Sequence, residues 1–405
     1  MDIDNGTGTI LLILSVIFIN YTLFGKNIKT GDEENTPADF SFHLPVDSSD
    51  FTGYNHISGL DALFLFPIPY CLLPFPCPMQ FPLLITGVAG VIGYNALDYF
   101  RTRYPGAVVG VRQGTRGDIA PAPGVVFADV DDADELERLF EKYQFKSVIH
   151  SGGSCALKAC QLNPELAWTL NLSTILSMLA QCERYNSRLI CMSVDLVFKG
   201  RPAGEFYKES DSPDAVSIYG QSMSAAENLI LLHRPQTCIL RISLPMGKSG
   251  TGHAGAIDWI GSRFLANRQA TLFTDEFRTP TYCQNINRVL EEILNRDESE
   301  FSGVFHCGQP RPVSLYQCAQ IINRVGGFDP DLLYGLKTNE GAPIPPRATN
   351  VAMDSSKLID ALGFNPFTPW PADNALFPTD PFWHRIRPEG EMHGWDVVEE
   401  KLMRY

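Results

Sequence analysis

The 405-residue sequence has no Cys-x-x-Cys pair, although ten cysteines are scattered through it, several inside apolar runs such as RLICMS and TCILRIS. That scatter excludes a disulfide framework or a zinc ribbon and reads as small buried thiols in a reducing compartment. His384 and His393 stand too far apart, with no Cys or Glu partner in a ligand pattern, so no metal is expected. Basic residues are scarce: 32 Lys and Arg face 46 Asp and Glu, a formal charge of −14. This balance disfavours nonspecific attachment to nucleic acid or to an anionic membrane. Also missing, anywhere in the chain, is a tyrosine followed four residues later by a lysine.

No basic residue precedes the apolar run TILLILSVIFINYTLF at 9–24. Its uninterrupted core, residues 10–19, is shorter than the roughly 20 residues that a bilayer crossing needs. No small-residue cleavage site follows it. An acidic spacer comes next, then LFLFPIPYCLLPFPCPMQFPLLI, whose prolines preclude a continuous helix. Residues 1–78 are therefore expected to be an atypical extension, upstream of a true start at Met79, on a cytoplasmic protein. The alternative is a membrane anchor through residues 9–24, and a membrane association only if residues 1–78 are translated.

What is present after Met79 is ordered and repetitive. With 44% apolar and 19% charged residues, the chain is globular. FPLLITGVAGVIGYNALDYF reads as strand, glycine turn and helix, with Gly87, Gly90 and Gly93 in TGxxGxxG spacing. The first glycine permits a tight turn, the second lets a pyrophosphate approach the backbone, and the third lets helix and strand pack closely. Thr86, Val91 and Ile92 complete that turn, and the helix N-terminus behind it favours an anion. Strand-like and helix-like runs then alternate to residue 243, which predicts a doubly wound parallel sheet with its ligand at the carboxyl ends of the strands. The expected fold is α/β: a Rossmann-type domain over 79–245 and a smaller C-terminal substrate-binding lobe with tail over 246–405. The second strand ends VVGVRQGTR, which offers Arg112 and Arg116 where an NAD-binding protein carries an acid. Two guanidinium groups suit a 2′-phosphate, so NADP(H) is favoured over NAD(H), with solvated loop arginines as the alternative. Asp129, ending the third strand, is within reach of an adenine by topology.

Several blocks together resemble the extended short-chain dehydrogenase/reductases, most closely the dTDP-4-dehydrorhamnose reductase type, over roughly residues 79–370. These are TGVAGVIG, VDLVFKG (194–200), YGQSMSAAE (219–227), LRISLPMG (240–247), DEFRTPTY (275–282), GVFHCGQPRPVSLYQCAQII (303–322) and MDSSKLIDALGF (353–364). The resemblance implies reduction of a nucleotide-diphosphate 4-keto sugar by a nicotinamide coenzyme, with Tyr219 as proton donor and Asn171 shaping the site. It also implies a lysine four residues after the tyrosine and a Ser or Thr hydroxyl after the fifth strand. Here those places hold Met223 and Val194. The alternative is thus a catalytically inactive binding or regulatory subunit with the same fold, as the regulatory subunit of methionine adenosyltransferase exemplifies, and a homodimer or protein partner fits either reading. Lys199 and Lys208 are loop cations that could swing in. His150 and Ser154 face the cofactor region by topology. Arg278, Arg241 and Lys248, with Arg263 and Arg347 behind them, are the expected contacts for a sugar diphosphate.

Overall fold

The computed structural model describes residues 79–113, 123–252, 254–342 and 344–403. The expected extension at 1–78, its apolar run at 9–24 and Arg116 lie outside the described residues. Among the described residues no helix is long and apolar enough to cross a membrane.

Short β-rich apolar runs become the strands β1 (Leu83–Ile85), β2 (Val108–Arg112), β3 (Val125–Phe127), β4 (Ser147–His150), β5 (Arg188–Val194) and β6 (Cys238–Ile242). With Gly303–Cys307 they form a seven-stranded sheet in the order 303–307, β6, β5, β4, β1, β2, β3. Every pairing is parallel. The order reverses between β1 and β4, and a crevice opens at such a switch point. Uniform burial, as in β1, β4 and β6, follows from cover on both faces. On one face Leu83 and Ile85 pack with the helices Val91–Arg103 and Cys283–Leu294. On the other, Leu84 and Val148 pack with Ala133–Tyr143, Thr174–Arg184 and Ile218–His233.

A second core serves the lobe, where Met246, Ile257, Tyr282, Leu315 and Trp370 meet the tail residues Trp383, Val398 and Leu402. The tail helix Trp395–Leu402 is tied down by Trp370 Nε1, which donates to Leu402 O at 2.9 Å. Division of labour along the chain is not linear, because Gly303–Cys307 and the helix Ser356–Leu362 return to the dinucleotide-type sheet after the lobe has begun.

One long helix reads differently in three dimensions. The run 163–185 is interrupted by a π-helical turn at Thr169–Ser173, between Pro164–Trp168 and Thr174–Arg184. Such turns place an extra residue in the helix and re-aim a side chain, here Asn171.

The tyrosine helix Ile218–His233 is fastened to the sheet by charge. Arg241 on β6 donates through Nε (2.9 Å) and Nη2 (2.6 Å) to Glu227, and Ser193 Oγ on β5 donates to the same carboxylate. Both charged side chains are below 5% exposed. Removing one partner strands the other charge in a dry interior, at about 3–5 kcal/mol. Arg241→Met is therefore expected to lower the free energy of unfolding by about that amount, read from urea melts; a loss below 1 kcal/mol would show that the pair is not a fastening.

Candidate functional site

The glycine turn is built by close backbone approaches. Gly87 sits at φ +68°, and a Cβ there would lie 2.3 Å from Ser151 O in the β4 turn. A Cβ on Gly93 would lie 2.4 Å from Gly87 O, so the helix can pack against the turn only as glycine. Gly90, the N-cap, has no such neighbour: its Cβ would meet only Gly87 O, at 3.4 Å. No side chain caps this helix and no acid stands in its first turn, so the amides at Val91 and Ile92 keep the positive end of the dipole bare. Thr86 ties the crevice across the switch point. Its Oγ1 accepts from the amides of Ser151 and Gly152, both at 3.2 Å, and shares a hydrogen bond with His150 Nδ1 at 2.9 Å.

At the carboxyl end of β2, the Arg112 guanidinium lies 5.5 Å from the Phe127 ring centroid. Its Nε is buried with no hydrogen-bond partner among the described residues. Asp129 accepts from Gln113 Nε2 at 3.1 Å, bringing the ends of β2 and β3 together beside Arg112.

At the tyrosine end, Asn171 is a clamp. Its Oδ1 accepts from Ser154 N (2.8 Å), while Nδ2 donates to Ser154 O (3.3 Å) and Ser222 Oγ (3.0 Å). One amide therefore joins the β4 loop to the first turns of the tyrosine helix. Tyr219 is buried there, with Val194, Leu196, Met223 and Cys160 around it. Burial pushes its phenol well above the usual value, the neighbouring Cys155, Asp195 and Cys160 add to that, and Arg278 opposes it. Of the two loop lysines, Lys199 is mostly exposed and pairs with Asp214 at 3.1 Å, and Lys208 is exposed. Ser193 is engaged by Glu227 and Ser222 by Asn171 and the backbone of Tyr219. Met223 lines a small cavity of mixed character, with His150, Asn171, Ser193 and Glu227 on its polar side and Ile175, Met192, Ile230 and Ile239 on its apolar side.

The expected diphosphate contacts separate in space. Arg241 is withdrawn into the Glu227 pair described above, where a ligand could reach it only by breaking that pair, and this corrects its reading as a substrate contact. Arg263 binds the backbone oxygen of Gln269 at 2.6 and 2.8 Å, also a structural use. Lys248 pairs with Glu399 of the tail helix at 2.7 Å and is partly exposed. Arg278 is buried between Asp195 (2.7 Å) and Glu276 (2.6 Å), and Arg347 holds the far oxygen of Glu276 at 2.7 Å. Sequence reasoning missed Asp195, Glu227 and Glu276. Each stood beside a residue already singled out: Asp195 after Val194, Glu276 two before Arg278, and Glu227 one helical turn beyond Met223. Of the cysteines, Cys155 departs from expectation, being exposed, while the other described ones are buried.

A glycine turn at the switch point of a parallel sheet, with a tyrosine opening the helix after β5, defines an extended short-chain dehydrogenase/reductase. Residues 80–376 match the family model of the RmlD substrate binding domain, and the chain belongs to that family. It is 29% identical over 207 residues to the probable low-salt glycan biosynthesis reductase of Haloferax volcanii, covering 51% of this chain and 68% of that protein. It is 25% identical over 248 residues to the dTDP-4-dehydrorhamnose reductase of Aggregatibacter actinomycetemcomitans, covering 59% and 82%. Among solved structures, the dTDP-4-dehydrorhamnose reductase of Bacillus anthracis in complex with NADP superposes with a TM-score of 0.60 at 18% identity, over 72% of this chain and 96% of that one.

Two buried histidines give the fold a pH signature. Burial lowers His150 to about 4, and burial with the Arg241 charge lowers His306 to about 3, from an ordinary 6.5. Both are neutral in the folded chain and bind protons more readily once unfolded. Their stabilisation is complete above 6.5 and is lost as pH falls from there toward 4. Melting temperature is expected to drop across that interval, with a shallower slope in His150→Gln; an identical slope in that variant would remove His150 from the account.

Proposed function

We propose that the protein binds NADP(H) along the crevice between β1 and β4 and slowly reduces a nucleotide-diphosphate 4-keto sugar, with Tyr219 as the proton donor. The observation that carries this reading is the convergence of the glycine turn, Asn171 and Tyr219 on the carboxyl edge of one parallel sheet. The residues fit such a coenzyme: the turn is a cradle with bare amides, and Arg112 has a buried Nε without a partner among the described residues, suited to a 2′-phosphate. When bound, the coenzyme supplies the hydride. Gly87, Gly90 and the amides of Val91 and Ile92 would hold its pyrophosphate, and Asp129 stands near enough to Arg112 to bear on the adenosine end.

The chain's own groups explain why turnover would be slow. Val194 offers no donor to the reacting oxygen, and losing one such donor costs about 2.7–4 kcal/mol, or roughly 100- to 1,000-fold in rate. Met223 brings no charge to lower the Tyr219 phenol, which burial raises. These same features favour the second reading, a dinucleotide-binding subunit without useful catalysis.

Fluorescence titration is expected to show NADPH binding more tightly than NADH, with Arg112→Met erasing the difference. If neither coenzyme binds, both readings fall. The paired substitution Met223→Lys with Val194→Thr is expected to raise NADPH oxidation by a dTDP-4-keto sugar about 100-fold. Binding without turnover in both parent and repaired protein would select the subunit reading.

A further inference from the structure

The tail past residue 376 lies beyond the stretch that the family model matches, yet its helix is joined by contacts to the glycine turn. Ser151 and Gly152 hold one flank of that turn through Thr86. On the other flank the amide of Gly250 donates to Ala89 O at 3.1 Å. A Cβ on Gly250 would lie 2.9 Å from Val88 O and 3.3 Å from Ala89 Cα, so this segment rests directly on the turn. Ala89 O and the Gly90 amide belong to one planar peptide unit. That amide donates to Gly87 O at 2.9 Å, so the unit is clamped at both ends. It leads straight into the amides of Val91 and Ile92, which open the helix. Two residues before Gly250, Lys248 O accepts from Asn95 Nδ2 at 2.7 Å, which ties the same segment to that helix.

The tail grips Lys248 from its side-chain end. Glu399 Oε2 pairs with Lys248 Nζ at 2.7 Å, and Glu399 Oε1 accepts from Trp395 Nε1 at 3.0 Å. The Trp395 ring lies on the helix Ala256–Leu265, where a Cβ on Gly261 would come 2.2 Å from its Cη2. One carboxylate thus links two contacts on the stretch of chain that runs from the turn into that helix. The tail helix can hold because it is itself anchored: Val398 and Leu402 are buried, and Tyr282 Oη donates to Lys401 O at 3.3 Å. We propose that Glu399 is a positioning residue for the coenzyme crevice: through Lys248 it holds residues 248–250 against the glycine turn, so that a docked tail slows release of a dinucleotide pyrophosphate. This rests on the crevice binding a nicotinamide coenzyme. A partly exposed ion pair is worth little by itself, and steadying one backbone hydrogen bond asks little of it.

Stopped-flow release of NADPH from the full chain, without substrate, reads the link. Glu399→Gln and Lys248→Met are each expected to release it about threefold faster, and the doubly substituted protein no faster than either. NADH release should rise by the same factor, because both coenzymes share the pyrophosphate that the turn would hold. A purely structural tail would show a lower melting temperature with unchanged release, and that result overturns the proposal. Slower release in Glu399→Gln overturns it as well, since Lys248 would then be a phosphate ligand that Glu399 withholds; additive effects in the double variant do the same. Hydrogen exchange reads the link with no coenzyme present. Peptides covering 87–92 and 248–252 should exchange faster in Glu399→Gln, with 147–152 unchanged. Exchange equal to the parent, or raised evenly in all three, sinks the strap whatever the coenzyme does. If the parent takes up neither coenzyme, the functional reading falls, and exchange alone decides whether Glu399 holds the turn.

Discussion

The seating of the helix Ile218–His233 on the sheet is the constraint on which the site depends. Three fastenings act at different heights along it. Gly220 permits contact with Leu196 O, Ser222 is gripped by Asn171, and Glu227 is anchored by Arg241 and Ser193. Tyr219, Met223 and Glu227 recur at four-residue spacing and share one helical face. The lowest fastening therefore fixes the rotation of the helix, and through it the direction of the phenol. A helix held only by apolar contacts could roll by a fraction of a turn; a bidentate ion pair cannot follow such a roll without stretching both hydrogen bonds.

Charge inside the molecule is arranged in closed sets. Glu227 with Arg241, and Asp195 and Glu276 with Arg278 and Arg347, are each neutral as groups. The first joins helix to sheet, and the second joins sheet to lobe. Burial between the two sets raises the phenol of Tyr219 and keeps His150 neutral. Met223 meets a cavity whose acid, Glu227, is already taken up by Arg241.

Reading the sequence first recovered some features sharply. Gly87 and Gly93 were legible because only a missing side chain satisfies their approaches to Ser151 and Gly87 O. The block 219–227 was legible in the sequence, while the cap that starts its helix, Ser217, appears only in the structure. The π-helical turn that carries Asn171 was not legible, since a one-residue insertion into a helix leaves no mark in the apolar period. Arg241 misled, because an arginine on a strand looks the same whether it meets a phosphate or a glutamate from a distant helix.

Local rules, then, were settled by the order of residues: where strands and helices alternate, and where the turn needs glycine. These depend on backbone freedom and side-chain chemistry that each residue carries by itself. The partners of Arg241 and Arg278, the closing of the sheet by Gly303–Cys307, and the isolation of Tyr219 from both loop lysines were decided by tertiary structure. An ion pair or a desolvated phenol is a property of distances between segments far apart in the chain, and those distances exist only once the sheet and lobe have packed.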